Sequence, residues 1–163
     1  MDQVPCLGAA GADIVWFAFC GGPPIFVTLS RDLKAHTGNA AQQEITFTVD
    51  NTPPSLNVSV SPNLLWPPNH KMVAVQPVAH FNDNLDPNPM LTLISVTSNE
   101  PDNGLGDGDT ANDIAIQPGG TILLRAERSG KGNGRIYTIT YSAQDVAGNI
   151  TIKTATVTVP HNK

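Results

Sequence analysis

From residue 55 onward, apolar and polar residues alternate in short runs. In residues 55–61, Leu56, Val58 and Val60 alternate with Asn57 and Ser59, the period of a strand with one buried face. The same signature predicts strands over 72–81, 91–97, 113–117, 121–127, 134–143 and 150–159, each bounded by turn residues. Seven short strands within about 110 residues form the pattern of an antiparallel β-sandwich. Along the sixth, Tyr137, Ile139 and Tyr141 share one face while Thr138, Thr140 and Ser142 share the other. Asp145-Val146-Ala147-Gly148-Asn149 then supplies a hairpin turn in which Gly148 takes positive φ without steric cost.

The chain also repeats itself at long range. Thr37-Gly38-Asn39, eight residues and Thr48-Val49 return as Ala147-Gly148-Asn149, eight residues and Thr158-Val159, at an ungapped offset of 110. Phe26-Val27-Thr28-Leu29-Ser30 falls on Ile136-Tyr137-Thr138-Ile139-Thr140 at the same offset. A period this long is that of a whole domain and predicts tandem modules. Residues 26–52 are then expected to be the hairpin remnant of a truncated upstream repeat, ahead of a complete domain over 53–163. Residues 1–25 align with nothing else in the chain and are expected to form an irregular N-terminal segment. An uncovered hairpin presents an open edge, so self-association through it is expected.

Composition narrows the class. Fourteen glycines and fourteen prolines would break a helical bundle repeatedly, which excludes an all-helical fold. Only 14% of residues are charged, yet 40% are hydrophobic, enough to bury a core. Fourteen acids against nine bases leave a net charge of -5, the wrong sign for a protein that tracks a nucleic-acid backbone. Cys6 and Cys20 are the only cysteines, so no disulfide framework holds the body, and their spacing leaves open whether they are bridged. No ligands at zinc spacing accompany them. The run Ile14-Val15-Trp16-Phe17-Ala18-Phe19 is too short for a membrane span or a signal core, and Met1-Asp2-Gln3 lacks a basic leader, so no export signal is read in this chain.

Three segments carry a family resemblance. Leu65-Trp66-Pro67-Pro68-Asn69-His70-Lys71, Leu124-Arg125-Ala126-Glu127-Arg128-Ser129-Gly130 and the run from Tyr137 to Asn149 resemble bacterial immunoglobulin-like repeats of the hyalin-repeat type. The resemblance covers residues 52–160. It implies an immunoglobulin-like fold and a place in a large secreted or cell-surface protein, where such modules act as spacers, adhesive units or appendages to enzymes. The upstream hairpin departs from the pattern, with Ala35 where the complete copy has Asp145. Family membership of this kind implies a fold and a location rather than a chemistry.

The sharpest chemical feature is the segment from Glu100 to Asp113. Its five carboxylates, Glu100, Asp102, Asp107, Asp109 and Asp113, occur in fourteen positions without a basic residue. Such crowding raises mutual repulsion unless a cation intervenes, and Ca²⁺ takes six to eight oxygens in flexible geometry. These five residues are the expected metal ligands and Ca²⁺ the expected ion, bound in a loop that is not an EF-hand because Ala111 and Pro118 stand at the fifth and twelfth ligand places; the alternative is a solvated turn, which Asp, Asn and Gly also suit. The segment 82–88 is expected to be a polar turn rather than a source of further oxygens for the same ion, and Asp145 is expected to cap its own turn rather than act as a ligand. Trp66 is assigned to plugging the open end of the sandwich, the alternative being an exposed ring that stacks on a sugar. Arg125, Arg128, Lys131 and Arg135 read as a solvated strand face, the alternatives being recognition of an anionic glycan or balancing of the acidic loop.

His70 and His80 are the candidate catalytic bases, because a histidine beside a bound cation can activate water to attack an ester or lactone. The structural alternative makes His70 a loop residue bonded to its own backbone and His80 a strand end. No Gly-x-Ser-x-Gly elbow is present. The sequence thus reads as an all-β, immunoglobulin-like antiparallel sandwich of about seven strands preceded by an extra β-hairpin. Its expected role is a calcium-stabilised structural or adhesive module outside a bacterial cell, binding a glycan or a protein. The alternative is a small calcium-dependent hydrolase of esters or lactones.

Overall fold

The computed structural model describes the backbone of residues 25–34 and 40–47, and the backbone and side chains of residues 48–103 and 110–162. The chain divides into two units, Met1–Pro53 and Pro54–Lys163. In the first, β1 (Ile25–Lys34) and β2 (Ala40–Val49) pair antiparallel, from Ile25 opposite Val49 to Lys34 opposite Ala40. The expectations for residues 1–24, including Cys6 and Cys20, and for Ala35 lie outside the described residues.

The second unit contains β3 (Ser55–Ser61), β4 (Met72–Asn82), β5 (Met90–Ser98), β6 (Ile114–Ile116), β7 (Ile122–Arg125), β8 (Gly134–Gln144) and β9 (Ile150–Pro160). Each of the seven expected runs holds a strand, with ends displaced by no more than two residues. One sheet runs β3-β4-β7-β6 and the other β5-β8-β9, with all pairings antiparallel. Alternation decides what lies between them. Leu56, Val75, Ile122 and Leu124 from the first sheet meet Tyr137, Ile139, Tyr141, Ala143, Val157 and Val159 from the second in one buried cluster. Burial of each large apolar side chain contributes about 1.5–3 kcal/mol, so the two inward faces hold the sandwich together.

Two local departures from strict alternation shape the sandwich. After β3, Pro62 has no N–H for a ladder, and the chain crosses to the other sheet. There Leu65 N donates to Thr158 O at 2.8 Å and Thr158 N donates to Asn63 O at 2.9 Å. This docking buries Leu65 and leaves Trp66 40% exposed. The assignment of Trp66 to the plug is therefore corrected: Leu65 fills the margin, and the next residue along an extended chain points the other way. In β5 the register shifts between Leu93 and Ser95. Ile94 is the extra, exposed residue of this bulge, which lets Leu91, Leu93 and Val96 all pack on the core.

Pairing also sorts the loops. Met90 lies opposite Gln144 and Ser98 opposite Tyr137. Residues 83–89 and 145–149 therefore gather at one end of the sandwich. The acidic segment begins at the other end, where residues 126–133 lead into β8.

The two hairpins of the chain share one register. Shifted by 110, each of the ten pairs from Ile25–Val49 to Lys34–Ala40 lands on a pair observed between Arg135–Val159 and Gln144–Ile150.

Candidate functional site

A charge network built on Arg135 occupies the end where the acidic segment begins. Arg135, the second residue of β8, has the inward parity of Tyr137 and is 0% exposed. Its Nε donates to Glu100 Oε2 at 3.3 Å, its Nη1 to Asp113 Oδ2 and to Tyr137 Oη at 3.2 Å, and its Nη2 to Pro101 O at 3.1 Å. Asp113 is shared: its Oδ1 accepts from Arg125 Nε at 2.9 Å. Arg125 also donates from Nη1 to His70 O at 2.9 Å and from Nη2 to Ala111 O at 3.0 Å. Glu100 Oε2 accepts a further bond from Ser129 N at 2.8 Å. Two guanidinium groups and two carboxylates thus fasten both ends of the acidic segment to β7 and β8.

This arrangement sets the electrostatics. Burial works to discharge Arg135, but its bonds to Tyr137 and Asp113 outweigh that effect and hold the guanidinium above its ordinary value. Burial pushes the Tyr137 hydroxyl up to about 12, against the pull of Arg135. Its proton is retained and donated to Arg125 O at 2.9 Å. The reading of Arg125, Arg128, Lys131 and Arg135 as a solvated face is corrected for the arginines, and the alternative, that they balance the acidic segment, holds for Arg125 and Arg135. Arg135 is enclosed, Arg125 is largely so, and Arg128 donates to Pro160 O at 3.3 Å and His161 O at 3.1 Å. Strand parity alone pointed to Arg135, since it falls in phase with Tyr137 and Ile139; its charge concealed that signal.

Of the expected metal ligands, Glu100, Asp102 and Asp113 lie among the described residues, gathered around Arg135 and the backbone of Asn112 and Asp113. Glu100 and Asp113 are neutralised by arginine. Asp102 accepts from Asp113 N at 2.7 Å and Asn112 N at 2.9 Å, which holds its carboxyl below the ordinary value of 3.8. Asp107 and Asp109 lie outside the described residues.

His70 stands in the same network. It has φ 61°, its N–H donates to Ala126 O at 3.0 Å, and its ring Nδ1 lies 2.7 Å from Oε2 of the fully buried Glu127. The expectation that its side chain bonds its own backbone is corrected: the crossing of residues 66–71 against 125–127 brings a carboxylate to the ring instead. Glu127 Oε1 is buried and bonds no donor. His80 pairs with Asn57 on β4, eight residues beyond Met72, or about 26 Å along the strand at 3.3 Å per residue. The fold places His70, and not His80, at the acidic end.

The opposite end carries carboxylates that pair with no arginine among the described residues. Asp83 Oδ2 accepts from Leu85 N at 2.8 Å and Asp86 N at 2.9 Å, and Asp86 Oδ2 accepts from Val146 N at 2.9 Å. Asp145 accepts at Oδ1 from Asn149 N and at Oδ2 from Asn149 Nδ2, both at 2.8 Å. Burial alone would raise Asp145, but the Asn149 side chain and the turn's backbone N–H groups hold it below the ordinary value of 3.8. Asp83 and Asp145 present oxygens within 4.8 Å of each other, and Asp83 Oδ1 is buried without a donor. Beside them lies a cavity of about 360 Å³ lined by Asp86, Asn88, Met90, Gln144, Asp145 and Val146. Sequence reasoning favoured turn roles for these aspartates over metal-ligand roles; their spacing of 62 positions gave no sign that these two turns meet each other.

Carboxyls held low in the folded state stabilise it above their unfolded value, and that contribution disappears as pH falls through the folded value. Asp102→Ala and Asp145→Ala are therefore each expected to melt below the parent at pH 7, with the gap closing as the pH drops below 3.8. Melting curves by circular dichroism between pH 2 and 7 check this; a gap independent of pH would place the loss elsewhere.

Comparison with protein-family models, curated proteins and solved structures yields no match to this chain.

Proposed function

We propose that the chain is a piece of a tandem array of immunoglobulin-like sandwiches, serving as a structural or adhesive module outside the cell. The observation that carries this reading is the shared register of the two hairpins, ten pairs coinciding at one offset. Matching sequence and matching pairing at the length of one domain are what repetition of a module produces. The strand orders β3-β4-β7-β6 and β5-β8-β9 correspond to the A-B-E-D and C-F-G sheets of constant-type immunoglobulin domains, which supports the fold assignment. The extracellular placement rests on the resemblance of the segments around Trp66, Glu127 and Asp145 to secreted repeats.

Calcium belongs to this reading at the Asp83–Asp145 end. Arginine already compensates Glu100 and Asp113, whereas Asp83 and Asp145 have no ion-pair partner among the described residues. A buried carboxylate oxygen without a donor is costly, and a hard cation would satisfy it.

One observation favours the hydrolase instead. Glu127 orients His70 from below, the relation by which a carboxylate fixes the tautomer of a catalytic imidazole, and the His70 ring is 53% exposed. Against it, the activated water needs a cation beside the ring, and the aspartates proposed to hold the ion, Asp83 and Asp145, lie at the other end of the sandwich from His70.

One preparation tests both parts of the proposal. No turnover of simple aryl esters or lactones is expected, with or without calcium. Hydrolysis lost in His70→Gln and Glu127→Gln variants that melt like the parent would establish the enzyme. In calorimetric titration with calcium, heat is expected for the parent and for Asp107→Asn but not for Asp83→Asn; the reverse pattern would return the ion to the acidic segment.

A further inference from the structure

The outward face of the β5-β8-β9 sheet carries no charge. Arg135 and Lys153 are the charged residues of these three strands, and both have the inward parity: Arg135 is enclosed and Lys153 lies opposite Tyr141. What faces out instead is hydroxyl and hydrocarbon. Thr97, Thr138 and Thr156 stand side by side across the three strands, and Ser95, Thr140 and Thr154 form the next row. Toward the turn at 145–149 the face becomes apolar, with Met90, Ile94, Ile150 and Ile152 each half exposed or more. Strand faces turned to water are ordinarily polar, and large apolar side chains gathered on one of them mark an interaction surface.

We infer that this face docks a second copy of the chain, sheet against sheet about a two-fold axis. Charge argues for that occupant. Each copy has a net charge of -5, so two copies approach with least repulsion where neither presents an ion. The chemistry agrees, because a hydroxyl both donates and accepts, which makes a face of threonines complementary to itself as a face of carboxylates or amines is not. Size sets the strength. Three strands about 4.8 Å apart and up to 11 residues long offer about 500 Å² per copy, below the roughly 800 Å² per partner of a stable complex. The contact is therefore weak and reversible, and it gains from a raised local concentration. Neither calcium nor the choice between module and enzyme enters, so the ester and calcium assays can fail without touching this surface.

Sedimentation equilibrium of the full chain in chelator, from dilute solution to about 1 mM, is expected to show the mass rising from monomer toward dimer. High salt is expected to strengthen the association by screening the net charge. Ile152→Lys and Thr140→Lys are each expected to weaken it roughly tenfold or more, by setting a charge in a contact that excludes water. Val78→Lys adds the same charge to the exposed outer face of the other sheet and is expected to leave association unchanged. Ile152 is more than half exposed, so its variant is expected to melt like the parent and carries the test even if Thr140→Lys does not fold. The inference is overturned if the chain stays monomeric at that concentration, if salt weakens the association, or if Val78→Lys is as disruptive as Ile152→Lys. It is overturned equally if Ile152→Lys associates like the parent, which would place self-association at the N-terminal hairpin or another surface, or if the monomeric chain is held on insoluble neutral polysaccharide through Ile152, which would assign the face to a glycan.

Discussion

Arg135→Met is expected to lower folding stability by about 3–5 kcal/mol, because it leaves the buried Glu100 without its cation and Asp113 with Arg125 alone. Glu100 and Asp113 are enclosed, and each takes a bond from the Arg135 guanidinium. Methionine fills much of the same space, so lost packing contributes little and the change isolates the charge. For a unit of this size the melting temperature should fall by roughly 10–25 °C. The companion experiment is a double-mutant cycle with Asp113→Asn. If the two groups act as one clamp, the double variant should lose far less than the sum of the single losses. Additive losses in urea titration would mean that Arg135 acts through packing and not through Asp113. Arg125 gives a useful contrast, since its partner Asp113 keeps Arg135 when Arg125 is removed, and its own head is partly solvated. Arg125→Met is expected to cost distinctly less.

The second large effect is expected at Gly134, where the chain enters β8. Its φ is 111°, and a Cβ there would stand 2.8 Å from Val159 O, 3.2 Å from His161 N and 3.3 Å from Pro160 Cα. All three atoms belong to backbone, which cannot swing aside as a side chain would. Gly134→Ala therefore combines an unfavourable dihedral with a forced separation of β8 from β9, together about 2–4 kcal/mol. Gly148→Ala supplies the control. That glycine has a comparable φ of 94°, but a Cβ there would meet nothing within 4 Å, so only the dihedral penalty of about 1 kcal/mol is expected. Equal losses at the two positions, measured by thermal melting, would contradict the steric account.

Much of the fold was legible because strand formation is a local matter. Leu56, Val58 and Val60 announced β3 by alternation, and Asp145 with Gly148 announced the turn before β9 by residue type alone. The bulge at Ile94 was not legible, since a run of apolar residues reads the same whether its phase slips or not. Trp66 was misassigned because size and hydrophobicity favour burial on average, while its actual place follows from a backbone bond that its neighbour Leu65 makes to Thr158.

The candidate sites show the same division more sharply. Carboxylate crowding between Glu100 and Asp113 pointed to a cation, and for Glu100 and Asp113 the cation is arginine. His70 was singled out, but its partner Glu127 was not, although both lie in segments already marked as distinctive.

What the sequence determined by itself was an all-β chain: the number and phase of the strands, the inward set of Tyr137, Ile139 and Tyr141, and the repeat at an offset of 110. These follow from side-chain direction along an extended backbone, which depends only on near neighbours. Tertiary structure alone decided the fate of the charges. Arg135 meets Asp113 across 22 residues and Glu100 across 35, and His70 meets Glu127 across 57. No periodicity links such positions. A buried charge is tolerated only where a partner arrives from another loop, and which loops share an end of the sandwich is settled by the order in which its strands pair.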